Sequence, residues 1–205
     1  MIGVDRGVTD IATATSPEYG LVHNEHGKRA AQKLTRCQRM VARRRPAEKK
    51  PASNGCKKAE RQVAKVHRKV ARQRQDAARK RAKKVVRDHD SSAVEGFNPK
   101  FLAKSTMARQ AADAALAATR TALIGMGRRQ QRTVYPVRPA CTTMGCGYCG
   151  ARAKHRLPLS ERTYTCTACG AVCPRDRNSA RVMLVRAGLD PDGVEGVRPD
   201  LPQGE

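Results

Sequence analysis

Cys146-Gly147-Tyr148-Cys149-Gly150 and, sixteen residues further on, Cys166-Thr167-Ala168-Cys169-Gly170 form the most constrained stretch of this 205-residue chain. Two C-x-x-C turns, each trailed by glycine, let backbone amides point at sulfur and bring four thiolates tetrahedrally around one Zn²⁺ at about 2.3 Å. Four ligands close the coordination sphere, so the expected zinc is structural and activates no water. Disulfides would be the competing use of these thiols. The chain opens on Met1-Ile2-Gly3-Val4-Asp5-Arg6-Gly7-Val8, without the charged start and apolar core of a secretory leader, and has no apolar run near the length of a membrane span. A cytoplasmic location with reduced thiols is therefore expected. Cys141 and Cys173 lie just outside the two turns and read as non-ligands, because the four-thiolate set is already complete.

Outward from this stretch, residues 175–186 read as a helix with Asp176 at its start. The remainder, 187–205, carries five acids and one Arg among Pro and Gly, and reads as a disordered tail. On the other side, Thr133-Val134-Tyr135-Pro136-Val137 is a short strand whose proline suits a sheet edge. A helix from Ser105 as N-cap to Met126, ended by Gly125 and Gly127, precedes it. Before that comes a strand over Ser91–Phe97, and near the N-terminus three short β-rich runs, 2–5, 11–15 and 21–23, suggest an antiparallel meander.

Charge sets the partner. Lys and Arg number 42 against 18 Asp and Glu, a net +24, which excludes a small neutral ligand as the reason for the charge and makes nucleic acid the expected partner. Between Lys28 and Arg87 the chain has 24 basic residues and three acids, so +21 of the excess sits in that stretch. Ala30, Leu34, Cys37 and Val41 recur at helical spacing, as do Ala59, Val63, Val66, Val70 and Ala77, with a Pro- and Gly-bearing turn from Arg45 to Gly55 between them. The expected form is an αα-hairpin with facing apolar seams and wholly basic outer faces. Arg43, Arg44, Arg45, Lys57, Lys58, Arg61, Lys65, Arg68, Lys69 and Arg72 are its candidate contacts to a nucleic-acid backbone. Leu, Ile, Val and Phe make up roughly 16 % of the chain, below the about 20 % at which high net charge usually means disorder, so zinc is expected to supply folding free energy, on the order of 10 kcal/mol in small zinc domains.

Three carboxylates stand in unusual places. Asp5 ends an apolar strand, Glu95 ends Ala93-Val94-Glu95, and Asp176 opens a helix. A buried carboxylate is costly unless a cation offsets it, and three converging at a sheet edge could hold two Mg²⁺ or Mn²⁺ ions for phosphodiester hydrolysis. Pattern alone leaves other uses open: Asp176 as a helix cap, Asp5 as a strand end, Glu95 paired with an arginine.

In their order, Gly3-Val4-Asp5-Arg6-Gly7-Val8, the basic hairpin, Val94-Glu95-Gly96-Phe97-Asn98, the paired cysteine turns, and Asp176-Arg177-Asn178-Ser179-Ala180 resemble the C-terminal half of TnpB proteins. These are the OrfB-type transposases of bacterial insertion sequences, related to compact type V CRISPR effectors. The resemblance implies an α/β RuvC fold of RNase H type, a mixed sheet with a long basic helical-hairpin insertion and a zinc ribbon. It implies Asp5, Glu95 and Asp176 as the catalytic metal ligands and Cys146, Cys149, Cys166 and Cys169 as the zinc ligands. It also implies RNA-guided DNA cleavage, with DNA and a guide RNA as partners. The expected division is a RuvC-like part with the hairpin at 28–89 over 1–133, a zinc ribbon over 134–174, a third RuvC-like segment over 175–186 and the tail. Gly96 stands where the family has Asp, Cys173-Pro174 where it has His-Asp, and Ser179 where it has Ala. With Asp5 so near Met1, the expectation is an N-terminally truncated member whose other half is missing or encoded separately; the alternative is a decayed, non-catalytic, zinc-dependent nucleic-acid-binding protein.

Overall fold

Alternation in β1 (Ile2–Asp5) turns Ile2 and Val4 to one face and Gly3 and Asp5 to the other, and both faces become covered. The computed structural model describes residues 1–7, 13–20, 24–46, 50–96, 104–105, 107–155, 157–158 and 160–191. β1 pairs antiparallel with β2 (Thr13–Ala14) and parallel with β3 (Ser91–Glu95), which pairs parallel with β4 (Thr133–Val137). The order is β2-β1-β3-β4, with Pro136 on an edge strand. The antiparallel meander is thus corrected beyond β2: a long helical crossover returns the chain parallel to β1, as parallel pairing requires. The run 21–23 lies outside the described residues.

That crossover consists of α1 (His26–Arg44) and α2 (Asn54–Asp88). Cys37 of α1 and Cys56, Ala59, Val66 and Val70 of α2 are buried, while Ala30, Leu34, Val41 and Val63 are half-buried, so the seam runs along the expected stripes. Ser53 caps α2 by accepting the Cys56 N–H at 3.2 Å. Further along, Ala82 and Val85 of α2 join Leu123 of α4 (Leu116–Arg129) against Ile2, Val4 and Val94. On the opposite face, Met183 and Leu184 of α5 (Arg175–Arg186) pack on Ala93 and Val137. The fold is the expected mixed α/β one.

Two local expectations change. The helix expected from Ser105 to Met126 is two helices, α3 (Ala108–Ala114) and α4, broken at Ala115 with φ +50°. Its N-cap is Met107, and Ser105 Oγ accepts the Met107 N–H at 3.2 Å instead. The break follows Asp113, whose carboxylate is drawn to the start of α1, accepting the Gly27 N–H at 2.7 Å, the Lys28 N–H at 3.3 Å and the Arg74 Nε–H at 3.1 Å. Nor do the glycines end α4: a Cβ at buried Gly127 would sit 2.6 Å from Val134 Cγ2, so glycine there admits β4 at close range.

The tail expectation is corrected at its start. Ala187 and Leu189 pack against the α5 cluster, Gly188 takes φ +70°, and the Leu189 N–H returns to the Leu184 carbonyl at 3.0 Å. This is a left-handed helix terminus closed by an apolar contact. Residues 192–205 lie outside the described residues. Between β4 and α5, β5 (Thr163–Thr165) and β6 (Val172–Pro174) form an antiparallel pair, with Tyr164 and Cys173 buried beside Cys146 and Cys166.

Candidate functional site

Two chemistries meet on α5. On the sheet, Gly3 is in register with Ala93 and Val4 with Val94, so Asp5 and Glu95 end neighbouring parallel strands on the α5 face. A Cβ at Gly3 would lie 2.0 Å from the Ala180 carbonyl oxygen, which shows how closely α5 crosses β1. Asp176 is one helical turn before Ala180, about 6 Å along the axis, and Asp5 is about 6.6 Å beyond Gly3. These spans match, and the charge of Asp176 bears on Asp5, so the two acids are neighbours. Burial first, and then the charge of Asp176, pushes the Asp5 carboxyl up to about 7; burial and then the charge of Asp5 pushes Glu95 up to about 8.

Glu95 Oε2 is buried with no hydrogen-bond partner. Arg6 offsets the carboxylate only in part: its charge and its backbone N–H pull Glu95 down against the larger effect of burial, while its buried guanidinium donates to the Leu116 carbonyl at 2.5 Å and the Glu95 backbone carbonyl at 2.7 Å, holding the end of β3. Asp176 is half-exposed, with Arg175 Nε at 3.7 Å and Arg162 Nη1 at 4.0 Å. Such a set of crowded acids, one oxygen of which is orphaned, suits cations. Among the described residues the three carboxylates do not draw together as tightly as the thiols, whose ligand atoms all lie within 4.8 Å of one another.

The thiols are Cys146, Cys149, Cys166 and Cys169. Sγ of Cys146 is 3.7 Å from that of Cys169, and Sγ of Cys149 is 3.6 Å from that of Cys166. A tetrahedron with arms of about 2.3 Å has edges of about 3.8 Å, so the donor set fits zinc. The two turns are near copies. Cys146 and Cys166 donate N–H to Ala151 and Ala171 at 2.8 and 2.9 Å, Gly150 and Gly170 donate back at 3.1 and 3.0 Å, and both glycines are left-handed, at φ +74° and +73°. Backbone N–H groups of Cys169 and Ala168 bring the Cys166 thiol down to about 6. Cys141 and Cys173 lie outside this cluster: Arg152 Nη2 donates to Cys141 Sγ at 3.1 Å, and Cys173 is in the apolar cluster with Tyr164.

All ten candidate contact residues of the hairpin, Arg43, Arg44, Arg45, Lys57, Lys58, Arg61, Lys65, Arg68, Lys69 and Arg72, are exposed. Arg44 also donates to the Gly55 carbonyl at 3.1 Å across the hairpin tip. Other cations of the same run serve the fold. Arg74 pairs with Asp113 at 3.0 Å, and Arg81, buried and pushed down to about 10 by that burial, donates twice to the Tyr19 carbonyl at 3.0 and 2.8 Å. Sequence reasoning passed over Arg6, Asp113, Gly147 and Asn178. Arg6 and Asn178 had one signal, their closeness in sequence to Asp5 and Asp176; Asp113 and Gly147 had none.

A family model described as OrfB_IS605, probable transposase, matches residues 1–106, and a Cas12f1-like TNB domain model matches residues 118–183. A protein of Streptomyces pristinaespiralis named as an RNA-guided DNA endonuclease is 33 % identical over 201 residues, covering 97 % of this chain and 48 % of that protein. In Escherichia coli (strain K12), the protein named as RNA-guided DNA endonuclease InsQ is 28 % identical over 200 residues, covering 90 % and 48 %. The chain thus spans about half the length of the curated relatives it matches. Among solved structures, a cryo-EM structure of a Cas12f1–sgRNA–target DNA complex superposes with a TM-score of 0.57 over 89 % of this chain and 49 % of that one, at 12 % identity, which is a likeness of fold. No described helix is long and apolar enough to cross a membrane. With a match over just over half of its length, residues 1–106, the chain belongs to the OrfB_IS605 family of probable transposases, the TnpB-type proteins.

Proposed function

We propose that this chain is the nuclease portion of an RNA-guided DNA endonuclease, hydrolysing DNA phosphodiesters at Asp5, Glu95 and Asp176. The observation that carries the reading is the orphaned, buried Oε2 of Glu95, in a row of acids where Asp5 is repelled by both neighbours. Divalent cations such as Mg²⁺ or Mn²⁺ held by these three residues would supply water activation and neutralisation of the scissile phosphate. The chain's own contribution is placement: Gly3 lets α5 bring Asp176 against Asp5, and Arg6 fixes the end of β3 that carries Glu95. Cys146, Cys149, Cys166 and Cys169 would hold a structural Zn²⁺ with no open position.

The proposed division of labour keeps the parts expected at 1–133, 134–174 and 175–186 with one change: β4 (Thr133–Val137) pairs with β3 and goes with the sheet, so the proposed ribbon begins after Val137. The exposed cations of α1 and α2 would track the backbone of a guide RNA or its heteroduplex, while base pairing reads sequence. The relatives are about twice as long as this chain, so guided cleavage is proposed of the chain together with the further portion that they contain. Its site of action would be the bacterial chromosome. One observation favours the non-catalytic alternative, a zinc-dependent nucleic-acid binder: Asp176 already faces Arg175 and Arg162.

Purified protein supplied with guide RNA, the remaining portion and target DNA should nick in Mn²⁺ or Mg²⁺. Asp5→Ala should abolish nicking and leave binding intact. If no divalent metal supports cutting, the nuclease reading is wrong and the binding one stands.

A further inference from the structure

Asn178 lies two residues after Asp176 on α5 and is fully buried, at 0 % exposure. Its side chain reaches across to the first cysteine turn. Oδ1 accepts the Gly147 N–H at 2.9 Å, and Nδ2 donates to the Gly145 carbonyl at 2.7 Å, so the amide spans the backbone on both sides of Cys146. Only a side chain with one donor and one acceptor at this length can do both.

The contact is close on every side. A Cβ at Gly147 would sit 2.5 Å from Arg181 Cβ and 3.2 Å from the Val182 backbone nitrogen, so the turn rests on the helix without a spacer. Arg181 adds a third tie, donating from Nε to the Gly147 carbonyl at 3.3 Å and laying its guanidinium over the Tyr148 ring at 4.0 Å. On another side of the same helix the Ala180 carbonyl presses on Gly3. α5 is therefore gripped between the cysteine turn and β1, and the first turn of α5 carries Asp176.

We propose that Asn178 is a positioning residue that couples the thiolate cluster to the carboxylate row: the first cysteine turn, docked through the Asn178 amide, sets where Asp176 stands against Asp5. The inference rests on the reading of Asp5, Glu95 and Asp176 as an ion site. Zinc does not reach the carboxylates in this scheme. It fixes the shape of a turn, and the turn fixes the helix. Burial of Asn178 makes the link costly to break, because a truncated side chain leaves the Gly147 N–H and the Gly145 carbonyl without their partner.

The test uses the full zinc-loaded chain and three readouts: the thiolate-to-Co²⁺ absorption of the cobalt-substituted protein, Mn²⁺ binding by electron paramagnetic resonance, and amide hydrogen exchange by segment. Asn178→Ala should retain the tetrathiolate cobalt spectrum, expose residues 175–181 to exchange at least tenfold faster, and weaken Mn²⁺ binding at least tenfold. Asn178→Asp, which sets an acceptor oxygen against the Gly145 carbonyl and buries a charge, should lose at least as much protection of 175–181 as Ala. Should Asn178→Ala fail to fold, Gly147→Ala supplies the same test by pushing turn and helix apart from the other side. Wild-type Mn²⁺ affinity and unchanged protection of 175–181 in these variants would overturn the proposal, because a plain stabilising role predicts a lower melting temperature alone. Mn²⁺ uptake unaffected by Asp5→Ala would instead overturn the ion-site reading, and the exchange readout by itself then decides the coupling.

Discussion

Gly3 and Ala180 touch so closely that no other residue type fits at position 3: the carbonyl oxygen of Ala180 occupies the space where a Cβ would begin, at 2.0 Å. The obstacle is backbone, which cannot swing aside as a side-chain end does. Gly3→Ala should therefore lift α5 from β1 and cost about 1–3 kcal/mol of stability, the range for overpacking a tight core. Any nicking activity should fall further than stability does, because Asp176 moves with the helix. Denaturant melts and cleavage rates on one preparation would separate the two; a variant as stable and active as wild type would contradict the contact.

The acids give the molecule a pH dependence of defined sign. In the folded chain without divalent cations, Asp5 and Glu95 keep their protons to about 7 and about 8, whereas unfolded they release them near 3.8 and 4.5. The folded state then binds more protons between these limits, so stability falls as pH rises from about 4 to about 8. For Asp5 alone the span corresponds to at most about 4 kcal/mol. Zinc-loaded protein should melt lower at pH 8.5 than at pH 5.5, Mn²⁺ should restore it, and Glu95→Gln should raise the melting temperature at the higher pH only. A flat profile would argue against these acids being buried together.

Removal of zinc tests the thiol geometry. Chelation, or Cys166→Ser, should unfold the segment between β4 and α5, residues 138–174, and abolish its protease resistance, since metal binding and folding of such a site are one equilibrium. An unchanged circular dichroism spectrum and digestion pattern after verified metal loss would refute a structural role.

Ser179 offers the opposite sign. Its side chain is buried, at 1 % exposure, and its Oγ has no partner among the described residues. Removing an unsatisfied buried hydroxyl relieves its desolvation cost, so Ser179→Ala should stabilise the protein by about 1 kcal/mol in urea melts. A loss of stability would mean that a partner for that hydroxyl exists.

The hairpin predicts salt sensitivity. If about eight of its exposed cations meet phosphates, the log–log slope of affinity against salt should be near −7, and replacing Lys65, Arg68 and Arg72 with Gln should reduce it by about 3. Replacing Arg81 should act on stability instead, because that cation is spent on the Tyr19 carbonyl.

Parts of this architecture were legible because they are periodic or tightly spaced. The apolar stripes of α1 and α2 and the paired cysteine turns each follow from local rules, whereas the face that Asp5 and Glu95 share depends on the register of β1 against β3. What escaped depends on chain segments far apart in sequence. Asp113 is an ordinary helix residue until α1 arrives with its open N–H groups, and the break at Ala115 has no glycine or proline to announce it. Gly127 reads as a helix stop when it is a packing notch for Val134. Asn178 looks like one more polar position on a helix until the cysteine turn meets it. The parallel sheet was hidden for a related reason: strands of three to five residues do not carry their own direction, and the long connection between β1 and β3 decides it.

That connection ends abruptly. Only His89 and Asp90 separate the last turn of α2 from the first residue of β3. α2 has 35 residues and so is about 50 Å long, with its C-terminal end seated on the sheet and its far end among exposed cations. Geometrically it is a lever whose short arm adjoins the strand bearing Glu95. A tilt of about 5° at the sheet swings the tip of such a 50 Å rod by about 4 Å; conversely, a load gripping the tip exerts its torque within seven residues of a catalytic candidate.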